Sequence, residues 1–337
     1  MDARSPQAEI SNLILGYWKS QMVYVAAKLE LADLIAAQPR TAAEIATATG
    51  AHAPTLYRLL RALASIGIFA EDAEQCFHAT PLSETLRRDC PDSNWAWAIM
   101  MGEEHYNTWG DLIYSVETGK NAFQSIYGMP IFEFLAENPE KGRVFDAAMT
   151  GVHGREVEPM FPAYDFSTIG TLADIGGGNG SVLTKILKKF PHMQGLLFDL
   201  PGVIERSAPV IAAMNIASRC QLVSGDFFQQ VPTGADAYIL RHIIHDWDDA
   251  EAIIILKNLR AALGDGERSR ILIVESIIPP GNEPFFGKLL DLTMLLIPGG
   301  KERTELEYQH LFATAGLAIT RIVPTGMEIS IIEVGKD

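Results

Sequence analysis

Along the first part of the chain, apolar residues recur at steps of three and four. Ile14, Trp18, Met22, Val25 and Leu29 line one face and Leu31, Leu34 and Ile35 follow, so the pattern predicts a long amphipathic helix over 11–37 that kinks or breaks near Glu30. Thr41 and Glu44 have the spacing of a capping box and open a second helix that stops at Gly50. A third runs from Pro54, suited to a first helical position, to Ile66. Beyond Gly67, Phe69 and Phe77 flank Glu71, Asp72 and Glu74, which reads as two short strands around an acidic turn. Three helices followed by a β-ribbon is the winged-helix order.

Residues 91–164 read as helical and carry an aromatic and methionine cluster that includes Trp95, Trp97, Met100, Met101, Phe145 and Met149. Most are core by type, and apolar ligand pockets use the same types. From Thr168 the rhythm changes: β-rich runs at 171–175, 195–198, 221–223, 237–240 and 270–274 alternate with helix-length segments. That alternation predicts a parallel sheet covered on both faces. Runs at 318–323 and 328–334, joined across Pro324, Thr325 and Gly326, add an antiparallel hairpin. The expected class is α/β, with a helical domain over 1–100, a helical linker over 101–164 and a sheet domain over 165–337.

Composition narrows the function. The 337 residues are 48% hydrophobic and 20% charged, ordinary globular usage for about two domains. Lys+Arg 27 against Asp+Glu 42 leaves a net charge of −15, poor footing for a protein that neutralises phosphates. Residues 1–100 hold 8 Lys/Arg and 11 Asp/Glu; the candidate recognition helix offers only Arg58 and Arg61, and the wing is acidic. No nucleic-acid partner is expected. The apolar first helix, with Trp18, Met22 and Tyr24, points instead to pairing with a second copy. Cys76, Cys90 and Cys220 are an odd number without metal-type spacing, no leader pattern precedes the first helix, and apolar stretches such as Ala252 to Leu256 fall far short of the ~18 residues that span a bilayer. The expectation is a reduced, cytoplasmic protein with no membrane partner.

The first strand of the sheet runs into Asp174, Ile175, Gly176, Gly177, Gly178, Asn179 and Gly180, and a helix pattern starts at Ser181. Glycines let the backbone turn sharply and approach a ligand whose anionic part sits at the helix N-terminus. A dinucleotide fingerprint would want Gly-x-Gly-x-x-Gly, and its sixth position here is Ser181, which argues against a dehydrogenase. Asp199 ends the second strand, where a carboxylate can accept both ribose hydroxyls. Asp226 and Phe227 follow the third, where a carboxylate can take an adenine amino group while a ring covers its face. Glycines, Asp and Asp-Phe on three successive strand ends describe an adenosine cradle.

These residues and three further blocks resemble the S-adenosylmethionine-dependent O-methyltransferases of the plant caffeic acid and acetylserotonin type and their bacterial relatives. The matching stretches are DIGGGNG at 174–180, FDLP at 198–201, GDFF at 225–228, RHIIHDWD at 241–248 and GGKERT at 299–304, and the likeness spans nearly the whole chain. The resemblance implies a Rossmann-like methyltransferase sheet, a homodimer through the N-terminal domain and S-adenosylmethionine as cofactor. It implies cofactor contacts at Gly176, Gly178, Asp199, Asp226, Phe227 and Arg241. It also implies His245 as catalytic base flanked by Glu275 and Glu302, and an acceptor pocket walled by Phe145, Met149 and Met294.

Read without the resemblance, these residues have plainer roles. His245 would be a hydrogen-bonded core or surface residue. Glu275 would be a strand-end carboxylate, and Glu302, beside Lys301 and Arg303, a member of surface ion pairs. A metal site built from His242, His245 and Asp246 is not expected, because no further His or Cys with ligand spacing accompanies them. The chemistry favours the catalytic assignment. A methyl group on a sulfonium is already activated, so the enzyme need only align an oxygen and remove its proton. A phenol at pKa ~10 and a free histidine at ~6.5 leave full transfer uphill by about 5 kcal/mol, which a carboxylate on the far ring nitrogen reduces. Ile297, where plant relatives place Asn before the Pro of the PGG segment, favours an apolar aromatic acceptor such as a polyketide, quinone or indole. Transfer to nitrogen or carbon, and a non-catalytic regulator that binds S-adenosylmethionine, are the alternatives.

Overall fold

In the computed structural model, which describes residues 5–90, 93–264 and 269–337, the first apolar stretch forms three helices rather than one. These are α1 (Pro6–Ile14), α2 (Gly16–Lys28) and α3 (Leu31–Ala36). The break at Glu30 is present, with that residue in left-handed backbone at φ 52°. A second break falls at Leu15, just before Gly16, a poor helix former. The capping box holds as expected: Thr41 N donates to Glu44 Oε2 at 2.7 Å and Glu44 N to Thr41 Oγ1 at 3.3 Å, starting α4 (Ala42–Thr49), which ends at left-handed Gly50. After it, α5 (Ala53–Ser65) buries Leu56, Leu60 and Leu63.

Helices α3, α4 and α5 pack on a small antiparallel sheet of β1 (Arg40–Thr41), β2 (Phe69–Glu71) and β3 (Cys76–Ala79), ordered β1-β3-β2. The two-residue β1 was not legible in the pattern. Phe69 and Phe77 close the core against Leu31, Ile35, Ile45 and Leu60, each buried side chain contributing roughly 1.5–3 kcal/mol. Ile10, Leu13, Ile14, Tyr17 and Trp18 of α1 and α2 are exposed. The chain divides into two compact units, Met1–Asn107 with Pro139–Val152 and Thr108–Asn138 with His153–Asp337.

The second unit carries the sheet. Its strands are β4 (Thr171–Ile175), β5 (Gln194–Asp199), β6 (Cys220–Ser224), β7 (Ala237–Arg241), β8 (Arg270–Ser276), β9 (Leu317–Pro324) and β10 (Ile329–Lys336). Their order is β6-β5-β4-β7-β8-β10-β9, parallel from β6 to β8, with β10 antiparallel to both β8 and β9. Alternation along β8 divides the core: Ile271 and Ile273 join Tyr238, Leu256 and Phe312 on one face, Leu272 and Val274 join Ile239, Leu183 and Ile186 on the other. Strand order reverses at β4, between β5 and β7. In such sheets that reversal opens a crevice beyond the carboxyl ends of the strands, and the candidate residues follow those ends.

Candidate active site

The loop after β4 is shaped by backbone conformation and by one carboxylate. Gly176 and Gly178 adopt φ 70° and 57°, which side-chain-bearing residues adopt only with strain. Gly176 N donates to Phe198 O at 2.8 Å, fastening the loop to β5. At the end of β5, Asp199 accepts from Gly178 N at 2.9 Å through Oδ2 and from Leu200 N at 2.7 Å through Oδ1. A Cβ added at Gly178 would meet nothing within 4 Å, so that side of the loop is open. Beneath it Asp174 is buried with Oδ2 lacking a hydrogen-bond partner among the described residues. Burial chiefly, with the charge of Asp199, pushes its carboxyl up to about 7 against the opposing pull of Arg241.

Beyond β6, Asp226 Oδ1 accepts from Phe228 N at 2.8 Å, and Asn258 Nδ2 donates to the carbonyls of Phe227 and Phe228 at 2.8 and 3.0 Å. The Phe227 ring lies 5.8 Å from Trp247, edge to face. A cofactor with ribose hydroxyls, an aromatic base and positive charges fits these residues: carboxylates stand on successive strand ends, an aromatic ring stands next to one, and a buried carboxylate oxygen lacks a donor. Arg241, the last residue of β7, instead turns its Nη1 to Glu156 Oε2 at 2.8 Å and to His153 O at 3.3 Å.

The turn after β7 presents His245 in a short 3-10 segment, Ile244–Asp246. Glu275 on β8 is fully buried and holds this turn: its Oε1 accepts from the backbone N–H of Ile243, Ile244 and His245 at 3.1, 2.8 and 3.3 Å. Its Oε2 lies 3.6 Å from His245 Nδ1. Glu302 Oε1 lies 2.6 Å from that same Nδ1. A carboxylate only accepts, so Nδ1 carries the proton and Nε2 is the ring's basic nitrogen. Asp246 Oδ1 lies 3.6 Å from Nε2. Burial works against a charged imidazole, but Glu275, Glu302 and Asp246 outweigh it and raise His245 to about 10. Burial likewise pushes Asp246 up to about 7, against the pull of His245.

Glu302 and Arg303 are not surface residues. Arg303 is fully buried and donates to the carbonyls of Ile244 at 3.1 Å and Trp247 at 2.9 Å and to Asp249 Oδ1 at 2.9 Å. It laces the GGKERT segment to the turn that carries His245. Gly300 makes the approach feasible, since a Cβ there would fall 2.1 Å from His245 O and 2.4 Å from Asp246 C.

The acceptor-side residues divide between the two units. Phe145 and Met149 pack with Trp95, Trp97 and Met101 in the first; Met294 lies on the helix Gly287–Leu296 of the second. Ile297 is core, packed with Ala122, Phe123 and Ile131, so burial in that cluster already accounts for an apolar residue there. Sequence reasoning missed His153 and Glu156, which the structure brings beside His242. Their i, i+3 spacing was the available signal. Among the described residues no helix is long and apolar enough to cross a membrane.

The sheet topology and the boxed histidine define a class, the Rossmann-like methyltransferases. Residues 109–318 match the model of the O-methyltransferase domain and residues 11–89 that of the O-methyltransferase dimerisation domain. The chain belongs to the O-methyltransferase family. It is 46% identical to the phenazine O-methyltransferase of Lysobacter antibioticus over 95% of this chain and 94% of that protein. It is 38% identical to the 8-amino-8-demethylriboflavin N,N-dimethyltransferase of Streptomyces davaonensis, over 93% and 90%. An O-methyltransferase from neocarzinostatin biosynthesis, crystallised with S-adenosylmethionine and 2-hydroxy-5-methyl naphthoic acid, superposes with a TM-score of 0.84 at 34% identity, over 95% of this chain and 96% of that one.

Proposed function

We propose that this S-adenosylmethionine-dependent O-methyltransferase methylates a hydroxyl of a small, largely apolar fused-ring aromatic, with His245 as general base. The reading is carried by His245 itself, its Nδ1 tied to Glu302 at 2.6 Å and its ring surrounded by three carboxylates. The cofactor supplies an electrophilic methyl group on a positively charged sulfur. His245 receives the hydroxyl proton at Nε2, and Glu302 stabilises the imidazolium as it forms. The flanking carboxylates raise the imidazole to about 10, which narrows the gap to a phenol at ~10; the ring takes the hydroxyl proton only in its neutral form, which the cofactor's positive charge would favour by opposing the imidazolium. Glu275 positions His245 through the backbone of its turn. Deprotonation accompanies methyl transfer.

Gly176, Gly178, Asp199, Asp226 and Phe227 form the proposed cofactor cradle. Arg241 completes the proposed cradle at the end of β7, although its guanidinium is engaged with Glu156. The fused-ring acceptors in the names of the phenazine and naphthoate relatives support the acceptor class. The match of residues 11–89 to a dimerisation domain and the exposed apolar residues of α1 and α2 support a homodimer formed by this unit.

The test is incubation of the purified protein with methyl-labelled S-adenosylmethionine and a panel of hydroxyphenazines, hydroxynaphthoates, hydroxyquinones and matching arylamines. Label on a ring oxygen is expected. Label only on nitrogen, as the name of the riboflavin-type relative suggests for that protein, would replace this reading.

A further inference from the structure

We propose that His153, Glu156 and His242 form a binding site for a first-row divalent transition ion of the zinc type. His153 ends the helix Pro139–His153 and Glu156 ends the 3-10 turn Gly154–Glu156, so their i, i+3 spacing puts both on one face. His242 reaches the same carboxylate from the turn after β7. Glu156 Oε1 lies 3.2 Å from His153 Nδ1 and its Oε2 lies 2.9 Å from His242 Nε2. One ligand atom from each of the three residues lies within 4.8 Å of the other two.

The donor set decides the kind of ion. Two imidazoles and one carboxylate suit Zn2+, Co2+ or Ni2+, whereas Mg2+ and Ca2+ prefer oxygen donors. The two rings lie 4.1 Å apart with planes 32° from parallel. Arg241 already places a cation on Glu156, so two imidazolium rings at that spacing would repel, and neutral imidazole is the ligating form. His242 meets the carboxylate through Nε2; its other ring nitrogen, Nδ1, is buried without a partner among the described residues, and its backbone sits at φ 53°. Arg241 Nη1 shares Glu156 Oε2 and must yield that oxygen when the ion enters. A second grouping, His242 with His245 and Glu275, is the weaker host, because Glu275 Oε1 is committed to three backbone N–H groups and His245 Nδ1 to Glu302.

The untagged full-length chain, stripped with a chelator, is titrated with Co2+ and then Zn2+. The expected result is one Co2+ per chain with the visible bands of a four- or five-coordinate site, displaced by Zn2+. Affinity should fall by at least about tenfold in each of His153→Asn, Glu156→Gln and His242→Asn, and should persist in His245→Asn. No uptake by the stripped chain, uptake that survives His153→Asn, or uptake lost in His245→Asn but kept in His153→Asn would each overturn the proposal. Should a variant fail to fold by circular dichroism, ring NMR of the unaltered chain decides. Co2+ should broaden His153 and His242 before His52 and His310, and unselective broadening would count against the site. The readout is metal uptake, so it does not depend on the methyl-transfer reading.

Discussion

His245 Nδ1 and Glu302 Oε1 meet at 2.6 Å although 57 residues separate them along the chain. The contact joins two turns at the carboxyl edge of the sheet, one after β7 and one in the GGKERT segment. In the neutral ring it keeps the proton on Nδ1 and leaves Nε2 as the basic nitrogen.

Replacing His245 with Ala should lower kcat by about 10²–10⁴ while cofactor affinity stays within a few-fold. Glu302→Gln should lower kcat by about 10², because an amide supports the imidazolium far less than a carboxylate does. Steady-state turnover and calorimetric cofactor binding check both. Near-wild-type turnover of His245→Ala would end its assignment as the base.

Stability should fall with rising pH above neutrality. The folded-state pKa of His245 is raised from 6.5 to about 10, so its contribution is fully present below about 6.5 and lost as pH rises through 10. Asp174 and Asp246, both pushed up to about 7, act mainly below neutrality. Between about pH 7 and 9 the unfolded chain has one fewer proton at this site, giving a slope near 1.4 kcal/mol per pH unit. Denaturant unfolding of the ligand-free protein should show this slope, and His245→Asn should flatten it. Equal slopes in the two proteins would show that the imidazole is not held in its charged form.

Gly300→Ala should be destabilising by about 2–4 kcal/mol, because the added methyl collides with backbone rather than with a side chain that can swing away. A displacement of His245 by even about 1 Å should also lower kcat by about 10². Thermal unfolding and turnover test the two effects separately, and an unchanged protein would mean that the segment does not need so close an approach.

Asp199→Ala should weaken cofactor binding by more than tenfold, on the order of 1.4 kcal/mol, because the Gly178 N–H loses its acceptor and the cradle loses a carboxylate. Isothermal titration with the cofactor and with its demethylated product measures the loss. Unaltered affinity for both would remove Asp199 from the cradle.

The strands were legible because periodicity and turn chemistry are local: the run expected at 171–175 coincides with β4, and those at 195–198 and 237–240 fall inside β5 and β7. The Thr41–Glu44 cap was equally local. The break at Leu15 and the pairing of β1 were missed because packing and partner strands decide them. Glu302 was expected beside His245 from the resemblance, but its local sequence alone points the other way. Its neighbours Lys301 and Arg303 suggest a solvated ion pair, yet Arg303 is buried because its five donors find carbonyls and Asp249 contributed by another segment.

The order of strand-end glycines and carboxylates, and with it the fold and the cofactor's character, was written in the sequence, because each of these features acts through its own backbone or strand end. The resemblance named Glu275 and Glu302 beside His245; only the tertiary structure decided how closely they and Asp246 approach the ring, how strongly they raise its proton affinity, and that His153 and Glu156 meet His242. Those outcomes depend on distance and burial between segments far apart in the chain, and the strength of a charge's influence is set by the medium it is folded into.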